Sequence, residues 1–332
     1  MSLALEKIYR RSVTLTETIE EACVLCGSHE ARRLFTARDR LHGLPGDFWV
    51  VRCVACKLLR TSPRPSGEAL AMYYPEGYAP HRDAGGEAST AGPASPRHSA
   101  WTWLRQRVMS RRIWWTPDLP PAARVLELGS GGGHFARYAI ERGWEVHALE
   151  PAARPAEQLS RNPRVRIQRD PAESMNFPPA SLDAVFAWMA VEHLEDPSAV
   201  FRKISAALTP GGYFVFSVPN AGSWEFVLFR ERWYGLDVPR HLWHFSPRTL
   251  RRLLAVCGLT VDHVFHQKVL KNISGSLSFL GADRPRLEPL TRSLARGISS
   301  PLVSFALGSV FAALRQGGRL TVVARKAGSG SA

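Results

Sequence analysis

The segment Val125–Phe135 (VLELGSGGGHF) constrains this 332-residue chain more than any other. An apolar run, Val125–Leu128, feeds Gly129-Ser-Gly-Gly-Gly133, and a helical pattern follows from His134 to Arg142, closed by Gly143. A strand–glycine–helix turn lets the backbone bend sharply and approach a ligand with no Cβ in the way. Dinucleotide enzymes use GxGxxG, but here the third glycine position holds His134. The pattern reads ExGxGxG from Glu127 to Gly133. The turn alone leaves the identity of the cofactor open.

The pattern around this turn predicts alternating strands and helices. Strands are expected at Val125–Leu128, Glu145–Leu149, Val165–Gln168, Asp183–Ala187, Tyr213–Val218, Thr260–Phe265 and Arg319–Ala324. Helices are expected at Ala153–Arg161, Ser198–Leu208 and Pro247–Cys257, with a further one over Trp101–Trp115. Such alternation predicts an α/β fold, a doubly wound, mostly parallel seven-stranded Rossmann-like sheet. Two stretches break it: the aromatic-rich 220–245 and the long segment 267–318. Insertions on such sheets usually build the ligand side.

Ahead of the sheet stand Cys23-Val-Leu-Cys26 and Cys53-Val-Ala-Cys56. Two CxxC pairs are expected to form a tetrahedral thiolate site for zinc. Four sulfur ligands leave no open position, so the role expected is structural, with a nucleic-acid-binding ribbon as the competing reading. The fifth cysteine, Cys257, lies in an apolar helix and reads as core. The expected organisation is a zinc-binding module over 1–82, a small polar linker over 83–100, and a main domain over 101–332 carrying the two insertions.

Residues 1–20 are charged and lack the apolar block of a secretion signal, so a cytoplasmic setting is expected. Net charge is +14, with 43 basic against 29 acidic residues. That balance suits nucleic acid, an anionic membrane surface or an acidic acceptor, but the arginines are scattered, which equally fits a compositional preference. Residues 297–314 contain no charge and are flanked by Arg296 and Arg315. Pro301 and the serines argue against a transmembrane span, leaving a helix buried in the protein or lying peripherally on a membrane.

On Glu127, Gly129, Gly131 and Gly133, the chain resembles the class I methyltransferases that use S-adenosylmethionine (SAM). The likeness extends to Glu150 in Ala-Leu-Glu-Pro151, to Leu182–Pro197 with its Glu192-His193, and to Leu208-Thr-Pro-Gly-Gly-Tyr-Phe214. The resemblance covers about 124–259 plus the strand at 319–324. It implies SAM as cofactor, held by Glu127, Gly129, Ser130, Gly131, Gly133, Phe135, Glu150, Pro151, Asp170, Ala172 and Trp188. Glu150 would take the ribose hydroxyls, because a carboxylate accepts from both at once. One departure is Pro171, standing where many relatives place an acid near the adenine; Asp170 is the nearest substitute. The four-cysteine module followed by the methyltransferase core resembles bacterial enzymes acting on sugars and small secondary metabolites. Tyr78 is then either a lid over the cofactor or a tyrosine packing two domains together.

The resemblance implies methyl transfer to a small-molecule or sugar acceptor at a hydroxyl. C-methylation of a keto-sugar and methylation of RNA are the alternatives, and RNA is disfavoured because no dense basic-aromatic strip is present. A hydroxyl must lose its proton, and histidine suits the task. His193 follows the fourth strand, where such sheets bind ligands, and is either that base or a helix cap. His241, in Asp237-Val-Pro-Arg-His-Leu-Trp-His-Phe245, is a second candidate base or a brace for its loop. Arg240 beside it is a candidate anchor for an anionic group.

Overall fold

A computed structural model describes residues 18–19, 22–65, 67–75, 115–151 and 162–328 of the chain. The expected helices at Trp101–Trp115 and Ala153–Arg161, the linker and Tyr78 fall outside these residues, apart from Trp115 itself.

The strands are β1 (Thr18–Ile19), β2 (Ala31–Arg38), β3 (Asp47–Cys53), β4 (Leu59–Ser62), β5 (Arg64–Pro65), β6 (Arg124–Leu128), β7 (Glu145–Leu149), β8 (Val165–Gln168), β9 (Leu182–Trp188), β10 (Leu208–Pro219), β11 (Trp243–His244), β12 (Leu259–His266) and β13 (Arg319–Lys326). The helices are α1 (Gly67–Ala71), α2 (His134–Glu141), α3 (Pro197–Ala207), α4 (Trp224–Phe229), α5 (Pro247–Val256), α6 (Lys271–Asp283), α7 (Glu288–Ser299) and α8 (Pro301–Ala313).

Seven strands form the main sheet in the order β12-β13-β10-β9-β6-β7-β8. The five from β10 to β8 run parallel, while β13 is antiparallel to both neighbours, β10 and β12. Strand order reverses between β6 and β9, and sheets of this kind bind ligands at the carboxyl ends flanking such a point. Central strands of a parallel sheet are covered on both faces and so read as continuous apolar runs. Alternate residues divide accordingly. Leu126, Leu128, Val185, Ala187, Phe214 and Phe216 face a core shared with α3 and α5. Val125, Ala184, Phe186 and Val215 face the opposite core, under α2 and Trp144.

Local chemistry sets the element ends. The Asp196 carboxylate accepts from the Ala199 amide at 2.9 Å to start α3, and Pro197 at the first helical position needs no donor there. Ser246 and Thr249 form a reciprocal capping box at α5.

The four-cysteine segment folds as an antiparallel sheet in the order β11-β4-β3-β2. Its outer strand, β11, comes from the 220–245 insertion, so the two segments share one sheet. They also share a core, in which Phe48, Val50 and Tyr73 meet Phe226, Trp233 and Leu236.

The 267–318 insertion folds as α6, α7 and α8. The single helix expected over 297–314 does not form. Ser300 interrupts it by accepting from the Val303 amide at 3.4 Å, and α8 restarts at Pro301. The axes on either side bend by 84°. Nor is the stretch buried: of α8, only Gly308 is buried. Among the described residues no single helix is long and apolar enough to cross a membrane.

Candidate active site and cysteine cluster

At the carboxyl end of β6 the chain turns through Gly129, Gly131 and Gly133, with φ of 70°, 48° and 73°. These left-handed values disfavour a side chain. At Gly129 an added Cβ would also sit 3.0 Å from the Ala190 methyl. Sequence order brings Glu150 beside this turn, because β7 runs parallel to β6 and ends level with it. Glu150 is buried and accepts from the Gly131 amide at 2.6 Å. Glu127 is also buried, with Oε2 unpartnered. Burial, then the nearby Glu150 carboxylate, holds its carboxyl well above the usual range.

This acidic surround separates two cofactor chemistries. A dinucleotide needs free loop amides for its pyrophosphate, and a carboxylate occupying the Gly131 amide opposes that anion. SAM instead carries a sulfonium and an ammonium, which a site with a buried acidic side chain and, among the described residues, no cationic one suits. The residues present therefore fit SAM.

The remaining expected cofactor residues fall unevenly. Ser130 is buried in the turn, its carbonyl accepting from Gly133 at 2.8 Å. Pro151 and Asp170 are exposed, and Ala172 opens a 3-10 turn, partly buried, on the same side of the sheet as Met175. Phe135 bears on the turn through its main chain. Its ring is buried in the core, 4.6 Å from that of Phe186 and 5.3 Å from that of Trp188. Its aromatic face packs the sheet, so only its backbone at the start of α2 is placed toward the turn. Trp188 is half-buried in the same stack, with its indole N–H unpartnered.

Beyond β9 the chain passes Met189, at φ 55°, into the 3-10 turn Val191–His193. His193 Nδ1 lies 3.0 Å from both the Arg240 carbonyl and the Tyr74 hydroxyl. A carbonyl only accepts, so Nδ1 carries the proton and the neutral ring keeps its lone pair on Nε2. His241 lies behind it, ring centres 4.7 Å apart. Its Nδ1 donates to the Gly235 carbonyl at 3.0 Å, which leaves its Nε2 lone pair facing Glu192 Oε1 at 3.9 Å and Asp237 Oδ2 at 3.8 Å. Burial, with His193 and His244 adding to it, holds the His241 imidazole far below its usual range. His244 is likewise pushed down to about 3 by burial.

Glu192 is fully buried and neither carboxyl oxygen has a hydrogen-bond partner. Burial pushes it up to about 8, with Arg319 drawing it down and Asp237 raising it further. This shift favours its neutral form, which lessens the repulsion its carboxylate would feel from the His241 lone pair. Ligand-capable atoms of Glu192, His193 and His241 lie within 4.8 Å of one another. A proton, or a divalent cation, would be held by this group.

Arg240 does not face the crevice. Its side chain is inaccessible to solvent and is gripped by Asp39 through two bonds, at 2.6 and 3.0 Å. It also donates to Asp237 and to the Tyr73 carbonyl. An anionic ligand cannot reach a guanidinium so enclosed, so the expected anchor is instead a bracket between module and insertion. A second bracket lies nearby. Thr61 donates its hydroxyl proton to the His241 carbonyl at 2.7 Å, so at 3.2 Å it accepts from His244 Nε2–H. His244 is thus a brace.

The four expected cysteines converge. Sγ separations are 3.4 Å for Cys23–Cys56 and 3.6 Å for Cys26–Cys53, and all four lie within 4.8 Å. Sulfurs around a tetrahedral zinc at about 2.3 Å would be about 3.8 Å apart, so the spacing fits. Both CxxC turns close alike: Gly27 and Lys57 take positive φ and donate to the carbonyls of Cys23 and Cys53. Cys257 is buried core.

A family model described as a methyltransferase domain matches residues 100–264. The chain is 29% identical over 152 residues to a malonyl-[acyl-carrier protein] O-methyltransferase of Serratia marcescens, covering 43% of this chain and 56% of that protein. It is 31% identical over 149 residues to a probable S-adenosylmethionine-dependent methyltransferase of Mycolicibacterium smegmatis, covering 43% and 55%. The chain thus spans little more than half the length of these two relatives. Against a ubiquinone biosynthesis O-methyltransferase of Xanthomonas axonopodis it is 30% identical over 185 residues, covering 52% of this chain and 75% of the relative. The chain belongs to the class I SAM-dependent methyltransferases. Among solved structures, a putative S-adenosylmethionine dependent methyltransferase from Listeria monocytogenes is 19% identical, with TM-score 0.44 and coverage of 68% and 96%.

Within this methyltransferase, sequence reasoning missed Tyr74, which brings a hydroxyl from the cysteine module to His193. It also missed Asp39, whose partner lies 201 residues away in the chain. The sequence carries no local signal for either. Glu192 stood in a recognised segment, but its burial depends on the insertion folding over it.

Proposed function

We propose that this methyltransferase transfers the SAM methyl group to a hydroxyl of a small-molecule or sugar acceptor, with His193 as base. The observation that carries this reading is the 3.0 Å contact between His193 Nδ1 and the Arg240 carbonyl. With Nδ1–H donated there, Nε2 would be the proton acceptor, on the loop after the fourth parallel strand, where such sheets bind ligands. Glycines 129, 131 and 133 with Glu127 and Glu150 would hold the cofactor, and Ser130, Pro151, Asp170, Ala172 and Trp188 would border it. When bound, SAM supplies an electrophilic methyl group, displaced in line by the acceptor oxygen. His241 acts through its neighbours as a positioning residue, packing against the His193 ring.

The relatives named as a malonyl-[acyl-carrier protein] O-methyltransferase and a ubiquinone biosynthesis O-methyltransferase support oxygen as the methylated atom. Cys23, Cys26, Cys53 and Cys56 would hold a structural zinc ion. The module over 1–82, linker over 83–100 and catalytic domain over 101–332 form part of this reading, as does a reducing, cytoplasmic setting, which suits cysteines unpaired in disulfides.

Carbon-13 methyl-labelled SAM, incubated with the protein and a cell metabolite extract or total RNA, tests the acceptor class. The label is expected in the small-molecule fraction with the shift of an oxygen-bound methyl. Label on carbon would assign C-methylation of a keto compound, and label in RNA would assign the nucleic-acid reading. With that acceptor, His193→Ala is expected to lower turnover about a hundredfold or more with SAM affinity unchanged. Normal turnover in this variant, or strict activation by added Mg2+ or Mn2+, would remove His193 as base.

A further inference from the structure

The methyltransferase core and the cysteine module bury their apolar faces, but the 267–318 insertion does not. Most of the exposed large apolar side chains among the described residues fall in two stretches, 224–228 and 287–314. On α7 and the turn before it, Leu287, Leu290 and Leu294 recur at helical spacing and are all exposed. On α8, Leu302 is 74% exposed and Val310 54%. On α4, Leu228 is 75% exposed. The three helices are neighbours: the Trp224 ring lies 6.1 Å from that of Phe311, and α7 packs against α8. A soluble monomer rarely leaves so much contiguous apolar surface in water.

Three features say what covers it. First, α8 carries no charged side chain, and apart from Gly308, which packs on the Lys268 backbone, none of its residues is buried. An apolar face of this kind inserts at the boundary of headgroups and acyl chains. Second, the insertion carries seven Lys and Arg against two Asp and Glu, and both acids are already paired, Asp283 with Arg40 and Arg232, and Glu288 with Arg292. An apolar helix rimmed by cations matches an anionic lipid surface. A second copy of this chain would bring another +14 against the same basic rim. Third, thirteen residues of helix span only about 20 Å, short of the roughly 30 Å hydrocarbon core. The 84° bend prevents α7 and α8 from forming one straight span, so a short helix of this kind suits the interface.

We infer that α4, α7 and α8 dock this methyltransferase on the surface of an anionic bilayer. The inference stands apart from the identity of the acceptor.

Flotation of the full-length protein with vesicles tests it. At low salt the protein is expected to float with vesicles of phosphatidylcholine and phosphatidylglycerol and to stay behind with phosphatidylcholine alone. The double variant L302D/V310D is expected to reduce the floated fraction at least about tenfold, since each aspartate replaces a side chain that would be buried in lipid. SAM affinity should be unchanged in that variant, which separates lost docking from lost fold. Wild-type protein that does not float with anionic vesicles would overturn the inference. So would undiminished flotation of L302D/V310D, or a wild-type dimer in sedimentation that the double variant dissociates.

Discussion

Cys56→Ser is expected to release the zinc ion and unfold the cysteine module. Cys56 is fully buried, and its sulfur meets that of Cys23 at the centre of the cluster. Structural zinc in small modules contributes on the order of 10–16 kcal/mol of folding free energy. The sheet β2–β4 shares its apolar core with Phe226 and Trp233 of the insertion. Elemental analysis should find one zinc per wild-type chain and none in the variant, with rapid proteolytic cleavage appearing between residues 22 and 65. Methyl transfer should fall too, because Tyr74 and Asp39 reach the His193 region from this side. A wild-type protein free of zinc and equally resistant to protease would contradict the assignment.

Arg240→Ala is expected to destabilise the protein by about 3–5 kcal/mol, because it strands two carboxylates in the interior. Asp39 is inaccessible to solvent and Asp237 nearly so. Total stability of a domain is about 5–15 kcal/mol, so the urea midpoint should drop sharply. Arg240→Lys should rescue little, since a single ammonium cannot reproduce the paired bonds to Asp39. A midpoint within error of wild type for Arg240→Ala would show that the bracket does not hold module and insertion together.

How much was legible in the sequence follows from the range of the interactions. Glu145–Leu149 and Val165–Gln168 form as strands with the bounds expected, because their periodicity is local. The glycine turn, Glu150 and the four cysteines were readable for the same reason: each motif lies within a few residues, and the fold pairs them. Arg240 was misjudged because its role is set by Asp39 in another module. The direction of the Phe135 ring was not legible, because a motif position does not say which way a side chain points; helix α2 turns it into the sheet. The break in 297–314 was in fact readable. Ser300-Pro301 is a cap followed by a first-turn proline, a start signal in the middle of an apolar run.

The central claim is that the turn at 129–133 with Glu150 holds SAM, and calorimetry on the purified protein tests it most directly. SAM is expected to bind one per chain and NAD not at all, with Glu150→Ala weakening SAM about a hundredfold as a charge-assisted pair of hydroxyl contacts is lost. No heat with SAM, or equal affinity in Glu150→Ala, would contradict the account.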